Sequence, residues 1–339
     1  MNGILLLAAL PLARKACDVI LGCGEALSQT NGGETRLSGF GLYLMSAKGL
    51  VVLEQLLTDL EPGSVAFVVT ARDRALQKDY HDEIHNLAIS AGVQVYERES
   101  VPTKLPYVSH VLAVSWRWLI HSGAESELIV FHDSLLPRYR GFAPLISALE
   151  NGDTTLGVTA LLAMDEYDSG PVVAQETAEV CYPLKIADAI DAIAPCYAKL
   201  ASRLVAKIAK GPLSSKAQDE SMATYSMWRD EKDYEIDWTW DAARIRRFVD
   251  AVGYPYGGAR TYNETLALRV LSCSDLPSKP IENPTPGKVI FVRRGEPVVV
   301  CGSGLLQIHE ASIEGSGESA LPLTRFRTRF GSFGRISSN

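Results

Sequence analysis

Apolar and polar positions follow two regimes along this chain. From Phe40 to Phe131, short apolar runs alternate with longer stretches of helical spacing. Phe40–Met45, FGLYLM, predicts a strand, and Ser46-Ala47-Lys48-Gly49 turns it into a helical run over Leu50–Leu60 that Glu61-Pro62-Gly63 stops. Val65–Thr70, VAFVVT, predicts a second strand of buried type, followed by a helix over Tyr80–Ala91 closed at Gly92. Further strands are predicted at Val93–Tyr96, Val108–Val114 and Leu128–Phe131. A short helix over Pro144–Glu150, closed by Asn151-Gly152, precedes a strand at Leu156–Met164, a polar turn at Asp165–Gly170 and a strand at Pro171–Glu176. A long amphipathic helix then runs over Leu184–Ile208 and ends at Gly211-Pro212. Strands separated by helices predict right-handed βαβ units. The fold class is α/β: a mostly parallel, Rossmann-like sheet with helices on both faces.

The second regime begins after a short helix over Asp241–Ala251 and the turn residues Gly253-Tyr254-Pro255-Tyr256-Gly257-Gly258. Short β runs follow at Leu266–Leu271, Lys288–Val292, Pro297–Val300 and Leu305–Glu310, a spacing that predicts a small C-terminal β-barrel, OB-like in size. The expected organisation is an N-terminal extension at 1–36, a catalytic α/β domain at 37–212, a linker at 213–233, the barrel at 234–315 and a tail at 316–339. The extension ends in a polar, Gly-rich stretch, SQTNGGE. The tail sets Arg325, Arg327, Arg329 and Arg335 among Phe326, Phe330 and Phe333, which predicts a docked or solvated segment ahead of a polyanion-binding one.

Composition narrows this picture by exclusion. A chain of 339 residues accommodates about two domains. The net charge of −7 disfavours nucleic-acid binding through the overall field. Six scattered cysteines (Cys17, Cys23, Cys181, Cys196, Cys273, Cys301) contain no C-x-x-C pair and read as reduced thiols of a cytoplasmic protein, with no metal site. The apolar run Ile4–Leu12 lacks a preceding basic region and is far shorter than the ~20 residues of a membrane helix, so neither a signal peptide nor an anchor is expected.

The candidate chemistry lies at the end of the fifth predicted strand. Leu128-Ile129-Val130-Phe131 delivers His132 to a loop, Asp133 to Gly141, and open α/β sheets present ligands at such strand ends. A lone histidine there is compatible with a hydrogen-bonded bystander. A functional histidine needs a partner, and Asp168 in the turn after the sixth strand is the candidate, with Asp165 and Glu166 competing. If the fifth and sixth strands are neighbours, their carboxyl ends would bring His132 and Asp168 together. Such a pair suits a reaction that builds negative charge on a carbonyl oxygen.

The run His132-x-Ser134-Leu135-Leu136-Pro137-x-Tyr139-Arg140-Gly141, with Gly157-Val158-Thr159 and Asp168-x-Gly170 after it, resembles the folate-dependent formyltransferases. That family includes methionyl-tRNA formyltransferases, amino-sugar N-formyltransferases and the hydrolase part of formyltetrahydrofolate dehydrogenase. The resemblance extends to the family's C-terminal barrel at Ile236-Asp237-Trp238, Ala251 to Ala259 and Val300-Cys301-Gly302-x-Gly304, and covers residues 38–315. It implies transfer of a formyl group from N10 of 10-formyltetrahydrofolate to an amine. His132 would stabilise or protonate the tetrahedral oxyanion, and Asp168 would orient His132 and relay protons. It implies folate binding by Ser115, Trp116 and Arg117, by Ser134 of the loop, and by Asp165, Glu166 and Tyr167, where backbone groups would meet the pteridine edge. No metal is implied.

The chain departs from the family pattern at one position. An asparagine two residues before the histidine normally donates to the oxyanion; Val130 stands there. Removing such a donor costs about 3 kcal/mol of transition-state stabilisation where the donor is required. Hydrolysis of the formyl-folate, or folate binding with little turnover, is therefore an alternative. The acceptor expected first is a small-molecule amine, an amino sugar linked to a nucleotide. Methionyl-tRNA formyltransferases carry a basic Gly/Lys-rich insertion where this chain has the short, charge-mixed Ala71–Tyr80, which makes tRNA less attractive. The Ser115-Trp116-Arg117-Trp118-Leu119-Ile120 strand end is similar to that of amino-sugar enzymes, although Phe142 replaces an arginine found in one such type.

Overall fold

A computed structural model describes residues 39–120, 126–263 and 266–332, all within one unit spanning Leu37–Asn339. The expected extension at 1–36, the Ile4–Leu12 run, Cys17, Cys23, Phe333 and Arg335 lie outside the described residues. The first half runs β1 (Phe40–Leu44), α1 (Ser46–Asp59), β2 (Val65–Thr70), α2 (His81–Ser90), β3 (Gln94–Glu97), β4 (His110–Val114) and β5 (Glu127–His132). These five strands pair parallel in the order β3-β2-β1-β4-β5. Next come β6 (Arg140–Gly141), α3 (Pro144–Asn151), β7 (Thr155–Leu162), β8 (Val172–Glu179) and α4 (Ile186–Ile208), with β7 and β8 added antiparallel beyond β5.

Period-2 alternation explains the two faces of this sheet. Leu42, Leu44, Val68, Leu112, Val114, Ile129 and Phe131 point to one side, where they join a buried core with Val52, Leu53 and Leu56 of α1 and Ile193, Tyr197, Leu200 and Leu204 of α4. Tyr43, Phe67, Val69, Val111 and Ala113 point to the other side, against Val101, Leu105, Trp116 and Val130. Here the structure differs from the expectation of helices on both faces: among the described residues, none from an α-helix belongs to this second cluster. The cause is the β3–β4 crossover. It spans only 98–109 and contains Pro102 and Pro106, which remove helical donors, so it crosses the face as a 3₁₀ turn at Arg98–Ser100 and extended chain.

A second difference concerns direction. β7 runs antiparallel to β5, with Ile129 opposite Leu162 and His132 opposite Thr159, so the carboxyl ends of these strands do not converge. Asp168 reaches His132 through the folded loop at 163–171 between β7 and β8.

The rest of the chain forms β9 (Tyr225–Ser226), α5 (Ala242–Ala251), β10 (Ala259–Asn263), β11 (Leu266–Leu276), β12 (Val289–Arg293), β13 (Glu296–Val300), β14 (Leu305–Ile313) and β15 (Phe330–Gly331). An antiparallel sheet has the order β12-β13-β14-β11-β10-β15. The chain entering β15 also pairs with the chain entering β12: Val289 N donates to Thr328 O at 3.0 Å and Phe330 N to Gly287 O at 2.8 Å. Those bonds join the two edges of the sheet. The segment expected as a tail thus supplies a stave, and buried Phe330 stacks on Trp238 with ring centroids 5.8 Å apart.

Helix α5 packs on β11 of the second sheet and on α3 of the first half. Arg247 Nε donates to the Glu150 carbonyl of α3 at 3.0 Å, and Glu150 pairs with Arg229 at 2.7 Å. Asp250, 7% exposed on α5, is pushed up to about 6 by burial, against the lowering influence of Arg246 and Lys185; Asp188 and Asp275 raise it further. A folded-state value above the unfolded one means that the folded chain binds the proton more tightly. Stability then falls as pH rises from about 4 to about 6 and stays lower above that range, by on the order of 3 kcal/mol. Asp250→Asn is expected to flatten this dependence and to raise the urea midpoint at pH 7.5 but not at pH 4. Parallel pH dependences for the two proteins would contradict the assignment.

Candidate active site

The loop after β5 is built from its own polar groups. Ser134 N donates to His132 O at 2.9 Å, and Ser134 Oγ donates to Arg138 O at 2.7 Å. Thr159 of β7 donates its hydroxyl to Ser134 O at 2.6 Å and accepts from Leu136 N at 3.2 Å, while Gln175 of β8 donates to Leu136 O at 3.0 Å. Gly157 admits the Leu135 side chain, since a Cβ there would lie 2.3 Å from Leu135 Cδ2. Tyr139 is buried, with its hydroxyl donating to Asp153 at 2.9 Å. Asp133, next to His132, is held by Lys48 of α1 and by the Tyr197 hydroxyl of α4.

His132 is 7% exposed and contacted on both ring nitrogens. Nε2 lies 2.8 Å from the Tyr139 carbonyl oxygen. A carbonyl only accepts, so this contact places a proton on Nε2 and leaves Nδ1 as the atom that gains or loses one. Nδ1 faces Asp168 Oδ2 at 3.5 Å. The same Oδ2 accepts from Gly141 N at 2.8 Å, and the Asp168 carbonyl accepts from Gln218 at 2.7 Å. Tyr139 and Asp168 both have left-handed backbone, φ 60 and φ 56, at a cost on the order of 1 kcal/mol each. Those turns bring one carbonyl and one carboxylate to the same imidazole.

A strap secures the loop from outside. Arg140 is fully buried; its guanidinium donates to Glu220 Oε1 and Oε2 at 2.7 and 2.8 Å and to Gln218 Oε1 at 2.9 Å. Glu220 raises the Arg140 pKa further, and Arg140 holds the Glu220 carboxyl below its ordinary value. Arg140 N donates to Thr224 O at 2.8 Å, Tyr139 N to Thr224 Oγ1 at 2.9 Å and Phe142 N to Ser226 O at 3.0 Å, so β6 and β9 form a small parallel ladder. Gly141, at φ +100, lets the two chains approach, because a Cβ there would lie 2.6 Å from Ser226 O. The stretch expected as a linker, 213–233, thus contains a strap that buries Arg140. The available signal was Arg140 itself, since a buried arginine requires acceptors and Gln218-Asp219-Glu220 offers them.

The remaining predicted site residues separate into groups. Ser115 has left-handed backbone and its hydroxyl meets Ser46 at 3.0 Å. Trp116 packs edge-on against Tyr43 and Trp118, and its buried indole N–H has no partner. Arg117 pairs with buried Asp73. Asp165, Glu166 and Tyr167 are exposed on the 163–171 loop. Ser134, by contrast, is 4% exposed and committed to the loop. Val130 lies on the same face of β5 as His132 and packs in the apolar cluster with Trp116. Among the described residues, no group of His, Cys, Asp and Glu side chains is disposed to hold a metal, and no helix is long and apolar enough to cross a membrane.

Comparison with known proteins gives a consistent result. A family model described as formyl transferase matches residues 119–194, and the formyl transferase C-terminal domain matches residues 229–323. A methionyl-tRNA formyltransferase of Roseiflexus sp. (strain RS-1) is 31% identical over 196 residues, 58% of this chain and 59% of that protein. The match therefore spans less than two thirds of the relative's length. An N-formyltransferase from Helicobacter canadensis, in complex with folinic acid and dTDP-3-aminofucose, has a TM-score of 0.60 at 14% identity over 80% of this chain and 98% of that one. WlaRD, a sugar 3N-formyl transferase solved with dTDP and 5-N-formyl-THF, has a TM-score of 0.58 at 12% identity, covering 80% and 97%. HypX from Aquifex aeolicus, in complex with tetrahydrofolic acid, has a TM-score of 0.52 at 16% identity, covering 84% and 45%. At these identities the likeness is one of fold.

Proposed function

The chain belongs to the formyl transferase family, and from that premise we propose that it transfers the formyl group of 10-formyltetrahydrofolate to the amine of a small acceptor, an amino sugar linked to a nucleotide. The observation that carries the reading is the His132–Asp168 pair at 3.5 Å, with Nε2 anchored on Tyr139. The cosubstrate supplies an activated formyl carbon. His132 offers positive charge beside the developing oxyanion when Nδ1 is protonated, and Asp168 holds that proton in line. The unpartnered Trp116 N–H, on the same sheet face as Val130, fits a ligand that brings an acceptor atom.

The amino-sugar reading draws support from two observations. One structural neighbour is a sugar 3N-formyl transferase by name, and another, an N-formyltransferase, was solved with dTDP-3-aminofucose. The 71–80 segment also holds two of its three cations against local carboxylates, Arg72 on Asp82 and Lys78 on Glu83, and seats Gln77 on Pro255 and Tyr256 of the C-terminal part. Paired cations offer little to a tRNA backbone. The test is an assay with 10-formyltetrahydrofolate and nucleotide-linked amino sugars, with aminoacylated initiator tRNA, and with no acceptor. Formylated sugar is the expected product. Salt-sensitive formylation of the tRNA would replace the acceptor, and formate release equal with and without acceptor would replace transfer by hydrolysis.

Val130 allows a sharper check. Val130→Asn places an amide two residues before His132 on the same strand face, and transfer is expected to be preserved or raised, by up to about 100-fold if one oxyanion donor is recovered. Loss of activity with the fold intact would show a pocket that requires an apolar side chain.

A further inference from the structure

Two aromatic rings beside the catalytic pair lie outside the buried core clusters of the chain. Phe142 is 50% exposed and Tyr167 is 56% exposed, yet their centroids lie 5.9 Å apart with planes inclined at 55°. Each is the covalent neighbour of a group fixed at the site. Phe142 follows Gly141, whose N–H donates to the Asp168 carboxylate, and Tyr167 precedes Asp168 itself. Their backbones are pinned as well: Phe142 N donates to Ser226 O, and the Asp168 carbonyl accepts from Gln218. Two large rings held in this way, half in water, have their hydration as the cost and a bound ring as the return.

We propose that Phe142 and Tyr167 are the acceptor subsite, taking the C–H face of the amino-sugar ring so that its amine lies at Asp168. The proposal rests on the transfer to an amino sugar argued above. The chemistry matches: the face of a pyranose presents a patch of C–H groups, which pack on aromatic faces through dispersion and C–H···π contact, while its hydroxyls remain in water. An inclined pair of rings covers one face and one edge of such a ring. An amine attached to that ring arrives next to the carboxylate that faces His132 Nδ1, where the proton lost on attack can be received.

The test uses Phe142→Ala, Tyr167→Ala and the conservative Phe142→Tyr in the full chain, with KM and kcat measured for the amino sugar and the folate dissociation constant measured separately. Each alanine variant is expected to raise the sugar KM about tenfold or more, with kcat near wild type and folate affinity retained, because the folate contact implied at Tyr167 is made by backbone groups that alanine keeps. Phe142→Tyr is expected to keep the wild-type KM. An unchanged sugar KM in both alanine variants, while the wild type turns the sugar over, overturns this inference alone. A fall in folate affinity equal to the rise in sugar KM also overturns it, by assigning the rings to folate. Absence of wild-type turnover with every amino sugar overturns the acceptor reading and this inference together.

Discussion

Replacing His132 by alanine is expected to lower formyl transfer by between about 100-fold and about 10,000-fold, with folate binding close to wild type. The range is that of a positioned acid–base group. His132 makes its contacts within the chain, to Tyr139 O and Asp168, on a face already lined by Trp116 and Val130. Removing the imidazole leaves that apolar lining in place. Asp168→Asn supplies the complementary measurement. The amide oxygen can still accept from Gly141 N, so the loop keeps its shape while the negative charge facing Nδ1 is lost. A comparable fall in kcat without a change in folate affinity is expected, and the pH dependence of kcat should differ from that of the wild type. Wild-type turnover in His132→Ala would remove the mechanism. A fall in folate affinity that accounts for the whole loss of kcat/KM would reassign His132 to binding.

The strands of the α/β half are legible because they are short apolar runs bounded by turn residues: the second is expected at Val65–Thr70 and lies there. Periodicity carries no direction, however, so the antiparallel course of β7 has no signal in the sequence, and Asp168 meets His132 by way of the folded 163–171 loop, not at a shared strand end. β10, ARTYN, lacks clean alternation, and β15 has two residues whose partners lie far along the chain. Neither has a local signature. The same limit applies to the site. His132 and Asp168 stood out through a motif, whereas Gln218 and Glu220 sit in a polar stretch whose composition fits either a solvated linker or a counterpart for a buried charge. Composition reports that polar groups are satisfied; only the fold shows whether water or Arg140 satisfies them.

That distinction gives the second large expected effect. Arg140→Leu should destabilise the chain by about 2–4 kcal/mol and abolish most turnover. The guanidinium is fully buried and makes charge-assisted bonds to Gln218 and both oxygens of Glu220. Leucine fills part of the space and makes none of them. Glu220 is itself exposed and rehydrates once released, which keeps the cost below that of stranding a charge in the core. The strap should then part from the loop, exposing the chain at 218–226 to limited proteolysis and loosening Tyr139, the residue whose carbonyl anchors His132 Nε2. Arg140→Lys keeps the charge but has no planar fork for two carboxylate oxygens, so an intermediate loss is expected. Glu220→Gln should weaken the strap without creating a cavity. Because Arg140 holds the Glu220 carboxyl below its ordinary value, the wild-type contribution is present above the usual carboxylate range and is lost as pH falls through the lowered value. The glutamine variant should lose this acid-dependent part. If Arg140→Leu matched the wild type in urea midpoint and in protease resistance at 218–226, the strap would be incidental to the fold. If it unfolded the strap yet kept full turnover, the loop would hold His132 without external support.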